Sequence, residues 1–261
     1  VVDVWFDSGA MPFASEASGY TADYIVEAID QTRGWFYVLL AVATLLDKKA
    51  PYKNVISMGH LLDPQGKKMS KSLGNIVDPM ELIEKYSADA VRWYFYTINQ
   101  PWDSKLFKEE DIKEAQRRFF MILENIVKFL EMYKGQGARV KGQEIFPKLI
   151  INKWIIANLN QLVNNTIKKI DAYDIVGAAR DIEYFVTEDL SRWYIRRIRD
   201  VMKDDTEEKK ETESILRYIL LEISKVVAPF APFIAEKIYR ELGGEKESVH
   251  LEEYPVGNGQ G

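Results

Sequence analysis

Tyr24-Ile25-Val26-Glu27-Ala28-Ile29-Asp30-Gln31-Thr32-Arg33-Gly34-Trp35-Phe36-Tyr37, followed by Lys53-Asn54-Val55-Ile56-Ser57-Met58-Gly59, decides the fold of this chain. Tyr24, Ile25 and Val26 form a short apolar run that ends at Glu27-Ala28. Asp30 is placed as a helix N-cap, and the spacing predicts a helix from Gln31 to about Asp47. Lys53 to Met58 reads as a second strand, closed by Gly59. Strand, helix and strand at this spacing predict a parallel βαβ unit.

Outward from that core, Asp63-Pro64-Gln65-Gly66-Lys67-Lys68 is a Gly- and Lys-rich turn. Asp78-Pro79 opens a helix, with proline in its first turn. Ala88 to Thr97 reads as another. Beyond Pro101 the pattern becomes helical. Phe119, Leu123, Ile126, Val127 and Leu130 recur at three- and four-residue steps, which predicts one buried helix face. Residues 135–147 read as a loop. Helices are expected at Trp154–Ile170, Ile175–Met202 and Ile215–Val227, with Lys203–Thr212 a charged connection. Pro229 and Pro232 interrupt the next helix, which resumes from Phe233 to Leu242. The expected class is α/β plus all-α, a parallel sheet followed by a helical bundle.

Composition sets limits. The 261 residues contain no cysteine and only two histidines, His60 and His250. Disulfides and thiolate zinc sites are excluded, and a histidine metal centre is not expected. The longest apolar run, Trp35 to Leu46, falls short of the roughly 18 residues that span a bilayer, so no membrane partner is expected. The net charge of −5 is neutral evidence on nucleic acid, because a local basic stripe suffices to meet phosphates. The chain starts at Val1, which suggests an excised or processed piece.

The sharpest chemical signal is Lys68-Met69-Ser70-Lys71-Ser72, ahead of Leu73-Gly74-Asn75. Two lysines three apart can wrap a polyphosphate, and their ammonium groups can stabilise charge that grows on a leaving pyrophosphate. As a charge cluster alone, a solvated basic turn is the plainer reading. Glu27 and Asp30 lie at the carboxyl end of a strand, where open α/β sheets bind ligands. Both can accept hydrogen bonds from a ribose or an ammonium group. Trp5 and Trp35 suit the walls of an aliphatic pocket or, equally, ordinary core packing.

The string Lys68–Ser72 resembles the KMSKS signature of the class I aminoacyl-tRNA synthetases. Asp3-Val4-Trp5-Phe6-Asp7-Ser8-Gly9 and Ile29-Asp30-Gln31-Thr32-Arg33-Gly34-Trp35 resemble blocks of the isoleucyl branch of that family. The valyl and leucyl relatives carry different residues in both places. Asp189-Leu190-Ser191-Arg192-Trp193-Tyr194-Ile195-Arg196-Arg197 resembles a helix of the anticodon-binding domain that isoleucyl and valyl enzymes share. The resemblance covers roughly residues 1 to 255.

The resemblance implies a partial Rossmann-like catalytic domain with the lysine loop at 1–98. A connecting segment at 99–115, a helical anticodon-binding domain at 116–255 and a disordered tail at 256–261 would follow. It implies ATP-dependent activation of isoleucine and transfer to tRNA(Ile) in the cytoplasm, with ATP and Mg2+. Lys68 and Lys71 would be catalytic. Lys68, Met69, Ser70, Lys71, Ser72, Glu27, Asp30 and His60 would bind ATP, and Trp5, Gln31 and Trp35 would form the amino-acid pocket. His60 alone is as readily a packing residue. Arg192, Arg196 and Arg199 fall on one predicted helix face with Lys203, and together with Arg197 they would meet tRNA. The first class I motif and the editing domain are expected to precede Val1, as missing N-terminal segments. Two alternatives stay open: a valyl or leucyl enzyme, and a non-catalytic tRNA-binding module.

Overall fold

The computed structural model describes residues 3–14, 20–133 and 147–257, with the side chain of Lys71 outside the described set. Residues 135–146 of the expected loop and 258–261 of the expected tail also lie outside it. The chain forms two compact units. One comprises residues 1–77 and 99–108, the other 78–98 and 109–261. This division differs from an expected boundary at 98, and packing within each unit gives the reason.

In the first unit, Asp3 accepts hydrogen bonds from the N–H groups of Trp5 (2.8 Å) and Phe6 (3.0 Å). It thereby caps α1, Val4–Ala14, a helix that the sequence pattern does not announce. β1, Ala22–Ala28, pairs in parallel with β2, Tyr52–Met58, from Ala22 opposite Tyr52 to Ala28 opposite Met58. α2, Trp35–Leu45, is the crossover, as the βαβ pattern predicts. Ile25, Phe36 and Leu39 are its buried core, with Ala22, Trp35 and Tyr52 packed against them.

Asp30 does not cap α2. Residues Ile29–Arg33 form a 3-10 turn, and Gly34 occupies the N-cap position. Gln31 Oε1 accepts the N–H of Trp35 at 2.8 Å instead. The extra turn delays the helix start, so the Asp30 carboxylate comes too early in the chain to reach it.

β3, Leu61–Leu62, pairs in parallel with β4, Lys105–Leu106. Gly59 explains why residues 99–108 belong here. Its N–H donates to the Pro101 carbonyl at 2.9 Å. A Cβ on Gly59 would lie 2.4 Å from the Asp103 carbonyl carbon, so only glycine permits this backbone approach.

The second unit contains α3 (Pro79–Tyr86), α4 (Ala88–Thr97), α5 (Glu109–Ala115), α6 (Met121–Tyr133) and α7 (Ile150–Asp171). It continues with α8 (Ile175–Tyr184), α9 (Arg196–Ile198), α10 (Glu207–Val227) and α11 (Pro232–Glu241). π-Helical segments Gln116–Phe120 and Phe185–Ile195 join α5 to α6 and α8 to α9. α4 belongs to this unit because Trp93 is fully buried in it. Its ring stacks on Phe119 at 3.9 Å and meets Phe120 and Phe230 edge-on. The helix expected over Ile175–Met202 ends at Ile198. The charged stretch expected as a connection to Thr212 turns helical at Glu207. Thr206 Oγ1 accepts the Lys209 N–H, and Glu207 and Glu208 complement the helix dipole. The break between α10 and α11 falls where Pro229 and Pro232 predict it. No helix among the described residues is long and apolar enough to cross a membrane.

The start of α11 is closed by another helix. Ala231 supplies no side-chain cap. The buried Asp89 of α4 accepts the N–H groups of Ile234 (2.7 Å) and Phe233 (3.4 Å). Burial raises the Asp89 carboxyl above its ordinary pKa, and the two N–H donors pull it back. Asp89→Ala removes the cap from the start of α11 and is expected to destabilise the second unit by about 0.5–2 kcal/mol. Asp89→Asn, which keeps one acceptor, is expected to lose less. Urea unfolding followed by helical circular dichroism measures both.

Candidate functional site

The parallel register places the carboxyl ends of β1 and β2 side by side. Glu27 lies opposite Ser57, and Ala28 opposite Met58. Glu27 and Asp30 are exposed beyond that edge, and His60 follows β2 half-buried. The His60 carbonyl accepts the Lys105 N–H at 2.9 Å, so its backbone is fixed by β4. Ser57 Oγ is buried with no hydrogen-bond partner among the described residues. Strand periodicity gives no hint of it.

The lysine loop leaves β3 through a tight turn. The N–H of Asp63 donates to the Lys67 carbonyl at 2.8 Å, and Leu62 bridges Lys68 in antiparallel fashion. Gly66, at φ +80°, takes the left-handed conformation this turn needs. Lys68 Nζ lies 3.6 Å from Asp30 Oδ2, with both side chains more than half exposed. An exposed pair at that distance is weak and exchangeable. Met69 and Ser70 are half-buried and Ser72 is exposed. The hydroxyls of Ser70 and Ser72 lie 3.2 Å apart. The backbone of Lys71 opens a short 3-10 turn, while the expected role of its side chain lies outside the described residues.

Asp63 and Asn75 frame this loop, and local sequence pattern gives no sign of their pairing. Asp63 is buried at 6% exposure. Asn75 Nδ2 donates to its Oδ2 at 2.9 Å, and the N–H groups of Lys67 (2.8 Å) and Gln65 (3.0 Å) donate to its Oδ1. Those donors, the Asn75 amide foremost, hold the Asp63 carboxyl below its ordinary pKa.

The aromatic group is organised by Gly34. A Cβ there would meet Gln31 Oε1 at 2.6 Å and the Trp5 ring at 3.1 Å. Trp5, Gln31 and Trp35 therefore gather around one glycine. Trp5 is 48% exposed and Trp35 half-buried. Gln31 is already engaged through Oε1 by the start of α2.

In the second unit the expected arginine stripe is broken up. Because the helix ends at Ile198, Arg199 and Lys203 sit in the following turn and not on a common helix face. Arg192 Nη1 pairs with Glu188 Oε1 at 2.6 Å. Arg197 lies over the Trp193 ring at 4.0 Å, and that ring packs on Trp154. Arg196 and Arg199 are exposed.

Comparison with known proteins accounts for both units. The family described as "tRNA synthetases class I (I, L, M and V)" matches residues 1–106, and "Anticodon-binding domain of tRNA ligase" matches residues 152–260. An isoleucine–tRNA ligase of Porphyromonas gingivalis is 41% identical over 98% of this chain, which covers 24% of that relative. Relatives of the same name from Clostridium novyi and Deinococcus radiodurans are 42% and 40% identical, each over 98% of the chain and 26% of their own length. The chain thus spans about a quarter of the length of these relatives. Among solved structures, the leucyl enzyme of Agrobacterium radiobacter K84, in complex with tRNA and LeuAMS, aligns with a TM-score of 0.73 at 18% identity. That alignment covers 98% of this chain and 33% of that one. Methionyl-tRNA synthetase of Mycobacterium tuberculosis with methionyl-adenylate gives 0.72 at 23%, covering 89% and 47%. These two likenesses concern the fold. A class I tRNA synthetase match thus covers the first part of this chain, an anticodon-binding match its second, and isoleucine–tRNA ligases are its relatives over nearly all its length.

Proposed function

We propose that this chain supplies the lysine-loop part of the adenylate-forming site and the tRNA-binding helical part of an isoleucine–tRNA ligase. The observation that carries the proposal is the loop Lys68–Ser72, which follows β3 after the carboxyl end of β2, with Lys68 3.6 Å from Asp30 at the end of β1. In the reaction, an isoleucine carboxylate oxygen attacks the α-phosphorus of ATP. The bond to the bridging oxygen breaks, and pyrophosphate leaves with the electron pair. Negative charge gathers on that leaving group, where loop ammonium groups and N–H donors stabilise it. The adenylate then passes its acyl group to a ribose hydroxyl of tRNA(Ile), releasing AMP.

Lys68 and Lys71 take the phosphate role in this reading. Met69, Ser70, Ser72, Glu27, Asp30 and His60 line the nucleotide. Trp5 and Trp35 wall an aliphatic pocket, with Gln31 holding the turn between them. The weak Asp30–Lys68 pair suits such a site, because a triphosphate can displace the carboxylate from Lys68 at little cost. Among the described residues no three acidic or histidine side chains converge to hold a metal. Mg2+ therefore enters the proposal only as the counter-ion carried by the ATP triphosphate. For tRNA, Arg196 and Arg199 offer exposed cations, Arg192 exchanges Glu188 for a phosphate, and Arg197 with Trp193 offers a flat surface to an unpaired base. Solution in the cytoplasm, where aminoacylation serves translation, completes the proposal.

Two measurements test it. In an enzyme containing this chain, Lys68→Ala and Lys71→Ala are each expected to slow isoleucine-dependent ATP–pyrophosphate exchange by about 10²–10³. Isoleucine affinity should change little, since the interaction strengthens as charge develops. An unchanged exchange rate overturns the loop assignment, and preferential activation of valine or leucine redirects the amino-acid assignment. For the helical unit, Arg196→Gln and Arg199→Gln are each expected to lower tRNA affinity. Each should reduce the slope of log affinity against log salt by about 1. A slope that does not change removes these residues from the interface.

A further inference from the structure

Asp63 is acceptor-only when ionised, and it is buried beneath a loop of lysines. Its two oxygens take three donors from two separate stretches of chain: the N–H groups of Gln65 and Lys67 on one side, and the Asn75 amide on the other. Asn75 relays that attachment into the loop. Its Oδ1 accepts the N–H of Ser70 at 2.9 Å, and its Nδ2 also approaches the Lys68 carbonyl at 3.5 Å. The carboxylate thus anchors both arms of the loop, and through Asn75 it sets the backbone at Lys68 and Ser70.

The geometry points to Asp63 and Asn75 as positioning residues: a buried latch that holds the lysine loop in the shape that presents its cations to a polyphosphate. The inference rests on the phosphate reading of the loop. It adds to that reading a reason why flexible lysines would meet phosphate without a large ordering cost. The hydrogen-bond polarity of the latch is fixed at both ends. Asp63 must accept everything, because Gln65 and Lys67 offer N–H groups. Asn75 must donate to Asp63 and accept from Ser70. Asp63→Asn turns an amide donor toward the Asn75 amide, and rotating Asn75 to compensate would aim a donor at the Ser70 N–H. Asn75→Asp sets two carboxylates face to face. Exchanging both restores every contact except the long one to the Lys68 carbonyl: the amide at 63 accepts the same N–H groups and donates to the carboxylate at 75, whose other oxygen accepts from Ser70.

The test uses the 261-residue chain, its two single variants, the exchanged pair Asp63→Asn/Asn75→Asp, and Lys68→Ala. Trypsin cleavage after Lys67, Lys68 and Lys71, followed by mass spectrometry, reports loop order. Calorimetric titration with ATP and Mg2+ reports phosphate binding. Each single latch variant is expected to speed loop cleavage and weaken ATP binding by about tenfold, the scale of one lost charge-assisted hydrogen bond. The exchanged pair is expected to return both values to within about threefold of the parent. Such rescue separates a specific latch from general loss of structure. If the single variants leave both values unchanged, or the exchanged pair is no better than either, the latch is overturned. If Lys68→Ala leaves ATP binding unchanged, the phosphate reading fails; where the 261-residue chain alone binds no ATP, the same titration on an enzyme containing it decides that reading. Digestion without ATP still decides whether the latch orders the loop.

Discussion

Parallel pairing of β1 with β2 is the constraint on which the first unit depends. Parallel strands cannot be joined by a tight turn, so a crossover must carry the chain back to the start of the second strand. Here α2 is that crossover, and its apolar face closes over Ile25. Both strands then finish at the same edge, with Ala28 beside Met58. Everything with chemical potential in this unit follows from that edge. Glu27 and Asp30 emerge from one strand, and His60 from the other, followed by β3 and the lysine loop. Only a parallel arrangement brings these two segments together at their carboxyl ends.

The site is built from opposed uses of the same residue type. Asp63 faces inward, gathers backbone and amide donors and stays ionised below the usual carboxylate range. Asp30 faces outward and makes one loose ion pair with Lys68. The inward carboxylate fixes geometry because it takes three donors at once from two stretches of chain. The outward one can be exchanged for another anion because water competes for both partners. Glycine works by absence at two places. Gly34 leaves room for the Trp5 ring against the start of α2, and Gly59 lets β2 run against the Asp103 backbone.

In the second unit, two helix starts are closed from a distance, while Asp78, Ser87, Asp174 and Thr206 cap theirs locally. Asp89 of α4 caps α11, and Glu211 of α10 accepts the N–H groups of Lys148 and Leu149 at the start of α7. Glu211 also receives the amide of the buried Asn152, whose Oδ1 accepts the Tyr194 hydroxyl at 2.7 Å. Burial pushes the Tyr194 hydroxyl well above its ordinary range, so it stays a donor. The π-helical run Phe185–Ile195 lies where Thr187 turns its hydroxyl back onto the Glu183 carbonyl at 2.8 Å. Two surface features lie at the end of this run: the stack of half-buried Trp154 and Trp193 with exposed Arg197, and the exposed Arg196 and Arg199.

The sequence by itself determined the βαβ order, most of the helices, the proline break before α11 and the lysine loop. Each of these is written in neighbouring residues: strand and helix periods, a proline's missing N–H, and two lysines three apart. Tertiary structure alone decided what depends on partners far along the chain. Asp30 looked like a cap because its local string fits one, yet a 3-10 turn passed that task to Gln31 and left Asp30 facing Lys68. The arginines fit one helix face only while the helix runs past Ile198, and it does not. Residues 78–98 belong with the bundle because Trp93 is buried against Phe119 and Phe230, the latter far downstream. Asp63 and Asn75 are twelve residues apart, and no local period links them. Backbone propensity and hydrophobic period act over about four residues, whereas a buried hydrogen bond takes its partner from whatever the folded chain brings near.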